Sequence, residues 1–117
     1  PSYDLGYNVV TMDEFQKRGI DNVIKETIDK IGDNPVYITF DLDSLDSSVA
    51  PAVSNIEPGF TGFTIDEAKA LIQSVKNKNV IGGDVVCLMP TKDQKNNITA
   101  MVAASIMFEI ISVIAFK

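Results

Sequence analysis

Read for hydrophobic periodicity, the chain alternates between short apolar runs and amphipathic stretches. Tyr7 to Val10 is a short apolar run that predicts a strand. Thr11, with Glu14 three residues on, forms a capping box that opens a short helix, and Gly19 stops it. Beyond it, Ile20, Val23, Ile24, Ile28 and Ile31 fall on one helical face, closed by Gly32 and Pro35. Val36-Tyr37-Ile38-Thr39-Phe40 is β-branched and aromatic and predicts a buried strand. A long loop with Pro51, Pro58, Gly59 and Gly62 follows. Thr64 and Glu67 make a second capping box, and the helix behind it turns Ile65, Ala68, Leu71, Ile72 and Val75 inward. Val80 to Leu88 predicts another strand, loosened at Gly82-Gly83 and ended by Pro90, and a polar loop runs on to Asn97.

The last segment, Ile98 to Phe116, is apolar nearly all round. Its length suits a membrane span. Thr99, Ser105, Ser112 and above all Glu109 favour the other reading, a helix buried against a sheet, so no transmembrane span is expected. The order strand, helix, strand, helix predicts an α/β fold with a parallel sheet and flanking helices. Residues 1–117 read as a single segment, without internal repeats, linkers or low-complexity stretches.

Composition narrows the function. Hydrophobic residues make up 45% of the 117, which is enough for a core. The formal net charge is −6, and the ten Lys and Arg residues are scattered, which excludes a nucleic-acid partner. The single cysteine, Cys87, excludes an internal disulfide and a cysteine-based zinc site, and suits a reducing compartment. The absence of histidine removes Ser-His-Asp and Cys-His mechanisms from this chain. The chain opens on Pro1, as a processed, truncated or excised chain would, and no secretory pattern stands at its start.

Candidate chemistry centres on Phe40-Asp41-Leu42-Asp43-Ser44-Leu45-Asp46. Parallel sheets bind ligands outside the C-terminal ends of their strands. Asp41 and Asp43 there can converge on a hard divalent cation such as Mn²⁺, Mg²⁺ or Ca²⁺, or can simply cap the loop. Cys87 reads either as a small buried hydrophobe in its strand or as a reactive thiol. Asp84 reads as structural, hydrogen-bonding near the site.

Several separated segments, in order, resemble the manganese ureohydrolases, the arginase–agmatinase family. They are Met12-Asp13-Glu14 through Gly19-Ile20, Tyr37 to Asp46, Ala50 to Gly59, Gly83 to Pro90, and Asp93 with Ile98 to Ala104. The resemblance implies that the chain is the C-terminal portion of an arginase-like fold. It implies two Mn²⁺ ions that activate water for attack on a guanidinium carbon, releasing urea from arginine or agmatine. Asp41 and Asp43 match one pair of ligands, while the remaining ligands, an earlier His and an Asp-x-His-x-Asp motif, are not in this chain. Activity would therefore need the rest of the fold or other subunits, and the chain is expected in an oligomer or larger complex, inside the cell, in cytoplasm or mitochondria. Asn55 occupies a loop position that often faces substrate, or is a turn asparagine.

Three departures stand against that pattern. Cys87 replaces a Glu that pairs with the substrate guanidinium, a charge-assisted contact worth roughly 1.5–3 kcal/mol. Ser47 replaces the Pro after Asp46, and Ala52 stands where Gly is frequent. Phe60-Thr61-Gly62 replaces a tight Gly-Gly and lengthens the loop by about two residues. These departures, with the missing histidine, define an alternative: a catalytically lapsed arginase-like protein that serves as a structural subunit.

Overall fold

The computed structural model describes residues 4–56 and 61–116. Helix α1 (Met12–Arg18) begins as its cap dictates, with the Glu14 amide donating to the Thr11 hydroxyl oxygen at 3.2 Å. Gly19 ends α1 and starts α2 (Ile20–Ile31) at φ 82°, a left-handed conformation that a side chain would strain. Arg18 pairs with Glu26 across this joint. That hydrogen bond, working against partial desolvation, holds the Glu26 carboxyl below its usual range.

Strands β1 (Val36–Asp41) and β2 (Val80–Val86) pair in parallel, and α3 (Ile65–Gln73) is the crossover between them. Both halves of the predicted capping box are made at α3: the Glu67 amide donates to Thr64 Oγ1 at 3.1 Å, and the Thr64 amide to Glu67 Oε1 at 3.0 Å. Helix α4 (Ile98–Ala115) lies on β2 and α3 and buries Thr99, Ile106, Ile110 and Val113. Glu109, out of place in so apolar a helix, accepts from the Gln73 side chain of α3 at 2.9 Å. The core lies between this helical layer and one face of the sheet, around Phe40, Leu42, Val80, Ile106 and Ile110.

The glycine pair sets the register. Val36 faces Val80 but Tyr37 faces Gly82, so Ile81 is an extra residue and the strand kinks there. Gly83 faces α4, where a Cβ would sit 2.7 Å from Ile110 Cγ2 and 2.8 Å from the Ile38 carbonyl oxygen. Gly82 faces the other way, under the Tyr37 ring. On that second face Tyr37 Oη and Thr39 Oγ1 donate to the two oxygens of Asp84 at 2.9 and 2.6 Å, the structural role expected of Asp84.

Three expectations change. Residues 7–10 form no strand, because no ladder partner lies beside them among the described residues. The first predicted strand is buried on one face only: Phe40 is covered, while Tyr37 is 58% exposed, since both packed helices α3 and α4 lie on the opposite face. Helix α4 is long and apolar enough to cross a membrane. It uses one face for packing and leaves Met101, Phe108 and Ile111 exposed, so it is not buried all round.

Gly83→Ala is expected to lower the stability of the chain by about 1–3 kcal/mol, because backbone and a core helix both block the added methyl. Gly82→Ala, which meets only the far edge of a tyrosine ring, is expected to cost less. Urea denaturation of the two variants checks the ordering.

Candidate functional site

The parallel register delivers the site residues to one end of the sheet. Asp41 is the last residue of β1 and lies opposite Val86, the last of β2, so Cys87 follows directly beside it. The chain then turns sharply at both exits. After Asp41 a single 3₁₀ turn, Leu42–Ser44, is capped by Asp41 itself, whose Oδ1 accepts from the Asp43 amide at 3.1 Å. Leu42, fully buried, anchors the turn in the core between the two half-buried aspartates. The apolar residue of the Asp-x-Asp pattern thus fixes the two carboxylates on the outer side of the turn.

Cys87 departs from its strand expectation. The strand ends at Val86, and Cys87 sits exposed with φ 72°, a conformation rare for a residue with a side chain. It is therefore not a buried hydrophobe. The neighbouring Asp41 carboxylate, acting as a hydrogen-bond acceptor, followed by local desolvation and the charges of Asp41 and Asp43, pushes the thiol above its ordinary value of 9.0. A neutral thiol beside the carboxylates is the result.

The loop between the 3₁₀ turn and α3 is closed at its neck. The Asp46 amide donates to the Phe63 carbonyl and the Phe63 amide to the Ser44 carbonyl, both at 2.9 Å. Gly62 lies so close at this neck that a Cβ would fall 2.4 Å from the Asp46 nitrogen. Phe15 of α1 packs edge-on against Phe63, with ring centroids 5.0 Å apart. Asp46 turns the chain by accepting from the Ser48 hydroxyl and amide, which hold its carboxyl below the usual range. Asn55 is exposed in the descending part of the loop. Glu57, Pro58, Gly59 and Phe60, quoted above for the family pattern, lie outside the described residues.

Carboxylate oxygens are the donors a hard divalent cation takes, so Asp41 and Asp43 fit one in kind. They fall short in number. Among the described residues, no cluster of three or more His, Cys, Asp or Glu side chains is placed to hold a metal ion. The two carboxylates therefore do not enclose a metal centre by themselves among the described residues.

The sequence model described as the arginase family matches residues 2–112. The chain belongs to the arginase family. It is 39% identical over 114 residues to an agmatinase of Escherichia coli, covering 97% of this chain and 36% of that protein. Its fold superposes on proclavaminate amidino hydrolase from Streptomyces clavuligerus with a TM-score of 0.90 at 32% identity, over 97% of this chain and 38% of that one. Formimidoylglutamase from Bacillus subtilis gives 0.85 at 28%, over 97% and 36%. The chain thus spans about a third of the length of the relatives it matches, as a partial fold.

Two site-supporting residues of this arginase-family chain escaped the sequence reading. Thr99, fully buried, accepts from the Ala52 amide at 3.1 Å, and the Ala52 carbonyl accepts from the Met89 amide at 2.8 Å. These bonds pin the loop after Asp46 to the start of α4 and to the exit of β2. Asp93 caps α4 from a distance, its oxygens accepting from the amides of Thr99 and Ala100 at 3.1 and 3.0 Å. Burial opposes the Asp93 charge, and these amides with the Thr99 hydroxyl outweigh it, so its carboxyl is held low. A Thr or Asp near a helix start is a sequence signal, but which distant amide it serves is decided by folding. Ser47, where the family pattern has Pro, leaves its buried hydroxyl oxygen unpartnered among the described residues.

Thr99→Val keeps the shape but orphans the buried Ala52 amide, and is expected to cost about 1–3 kcal/mol in thermal or urea unfolding. The Cys87 thiol is expected to titrate above 9.0, and Asp41→Asn, which removes the charge and the carboxylate acceptor, to bring it back down. The ultraviolet absorbance of the thiolate against pH reads both midpoints.

Proposed function

We propose that this chain is the C-terminal third of a manganese ureohydrolase, which hydrolyses a guanidino compound, arginine or agmatine, to urea and an amine. In this reading Asp41 and Asp43 are metal ligands, and the remaining ligands come from outside the chain. The observation that carries it is the pair of half-buried carboxylates held on a buried leucine at the C-terminal end of two parallel strands. Membership of the arginase family and the similarity to agmatinases support it. A bound divalent metal supplies Lewis acidity and lowers the pKa of water at such a site. The chain's own part is to fix the carboxylates. The Asp43 amide orients Asp41, and the neck at Ser44 and Phe63 holds the turn that carries Asp43. In this reading the isolated chain, with these two ligands and no histidine, is inactive.

One observation favours a second reading, a lapsed subunit retained for its packing. The Cys87 thiol is held neutral, and by the family resemblance it stands where a Glu would pair with the guanidinium.

The deciding measurement is manganese per chain in the native, unfractionated particle. Close to two ions per copy is expected, with a marked loss in Asp41→Asn and in Asp43→Asn, and urea release from arginine or agmatine by the particle and not by the isolated chain. No metal after loading, at full occupancy of the chain, would make both aspartates relics and leave the structural subunit.

A further inference from the structure

The loop that borders Asp41 and Asp43 is closed by backbone groups alone. Two hydrogen bonds of 2.9 Å tie Phe63 to Ser44 and to Asp46, and Leu45 faces Phe63 as an isolated bridge. Ser44 follows Asp43 and completes the 3₁₀ turn, so the position of Phe63 sets the position of the turn. A bridge this small is marginal by its hydrogen bonds, and the packing of its side chains decides whether it holds.

Two features brace Phe63. Directly after it the chain enters the capping box of Thr64 and Glu67, which fixes the start of α3. Its ring meets the ring of Phe15 edge-on, with the planes at 84°. Phe15 is the one buried residue of α1, at 4% exposure, yet it stands outside the core cluster that holds Phe40, Leu42 and Ile110. Its burial therefore serves the neck rather than the main core. Helix α1 has seven residues, too few for a helix stable by itself. Its cap at Thr11 and its joint with α2 at Gly19, where Arg18 pairs with Glu26, hold it so that this ring reaches Phe63.

We propose that Phe15 is a positioning residue for the carboxylate site. Through Phe63 it sets the neck, and through the neck it sets the turn that keeps Asp43 beside Asp41. Its part in metal binding rests on the reading of those two aspartates as ligands. Its part in holding the turn does not. Without the ring, Phe63 loses a close apolar neighbour, the two neck bonds open more often, and the Asp43 amide leaves Asp41 Oδ1 with them.

The test makes Phe15→Ala and Phe15→Leu in the full chain and follows amide hydrogen exchange. The manganese affinity of the native particle carrying the same substitutions is measured in parallel. In Phe15→Ala the amides of Asp43, Asp46 and Phe63 are expected to exchange about tenfold faster or more, while those of β1 and β2 keep their rates. Phe15→Leu, which keeps an apolar side chain against Phe63, is expected to fall between, and manganese affinity to drop in the same order. If Phe15→Ala does not fold by circular dichroism, Phe15→Leu decides. Equal acceleration at the neck and in both strands would show that Phe15 only adds to global stability, and overturns the proposal. Unchanged exchange at the neck overturns it too, as does a loosened neck with manganese bound as tightly as before. An unmodified particle that takes up no manganese overturns the ureohydrolase reading instead, and exchange at the Asp43 amide then decides the role of Phe15.

Discussion

Pairing β1 with β2 in parallel sets Asp41 opposite Val86, and every other feature of the site follows from that register. The two strands are separated by the loop and α3, so nothing local in the chain holds them level. The level is set by close approach. Gly83 lets Ile110 of α4 reach the strand, the kink at Ile81 absorbs the extra residue, and Asp84 draws in the hydroxyls of Tyr37 and Thr39 from across the ladder. A slip of one residue would turn Gly83 away from α4 and bring a side chain into its place. Thr39 lies two residues before Asp41 and Asp84 three before Cys87, so the polar clasp acts close to the carboxylates.

A second constraint is the anchoring of the loop over this end of the sheet. Long loops are held by hydrogen bonds from buried groups or not at all. Here the neck between Leu45 and Phe63 closes the loop, and Thr99 with Met89 grips Ala52 in its middle. Phe15 presses on Phe63 from α1, which links the first helix of the chain to the site. The start of α4, fixed by Asp93, therefore supports both the core and the loop that borders Asp41 and Asp43.

Hydrophobic burial is one-sided throughout. One face of the sheet packs on α3 and α4, while Tyr37, Ile81 and Val86 on the sheet and Met101, Phe108 and Ile111 on α4 remain exposed. Burial stabilises in proportion to the apolar area withdrawn from water, so these surfaces are stability that the chain alone does not realise. The packing is that of a partial arginase fold.

The sequence by itself determined what depends on neighbours along the chain. Helical periodicity and the capping residues Thr11 and Thr64 placed α1, α2 and α3, and β-branched runs placed β1 and β2, because these signals act within a few residues. The segments around Asp41 to Asp46 and Gly83 to Pro90 carried the family. The failures came where a partner far away in sequence decides. Residues 7–10 have strand-like side chains but no ladder partner among the described residues, and Tyr37 has a strand's chemistry but no covering layer. Cys87 looked like strand interior, yet the backbone leaves β2 one residue earlier and turns it out beside Asp41. Only the tertiary structure paired Thr99 with Ala52 and Asp93 with the start of α4, because hydrogen-bonding groups name their chemistry in the sequence and find their partners in space.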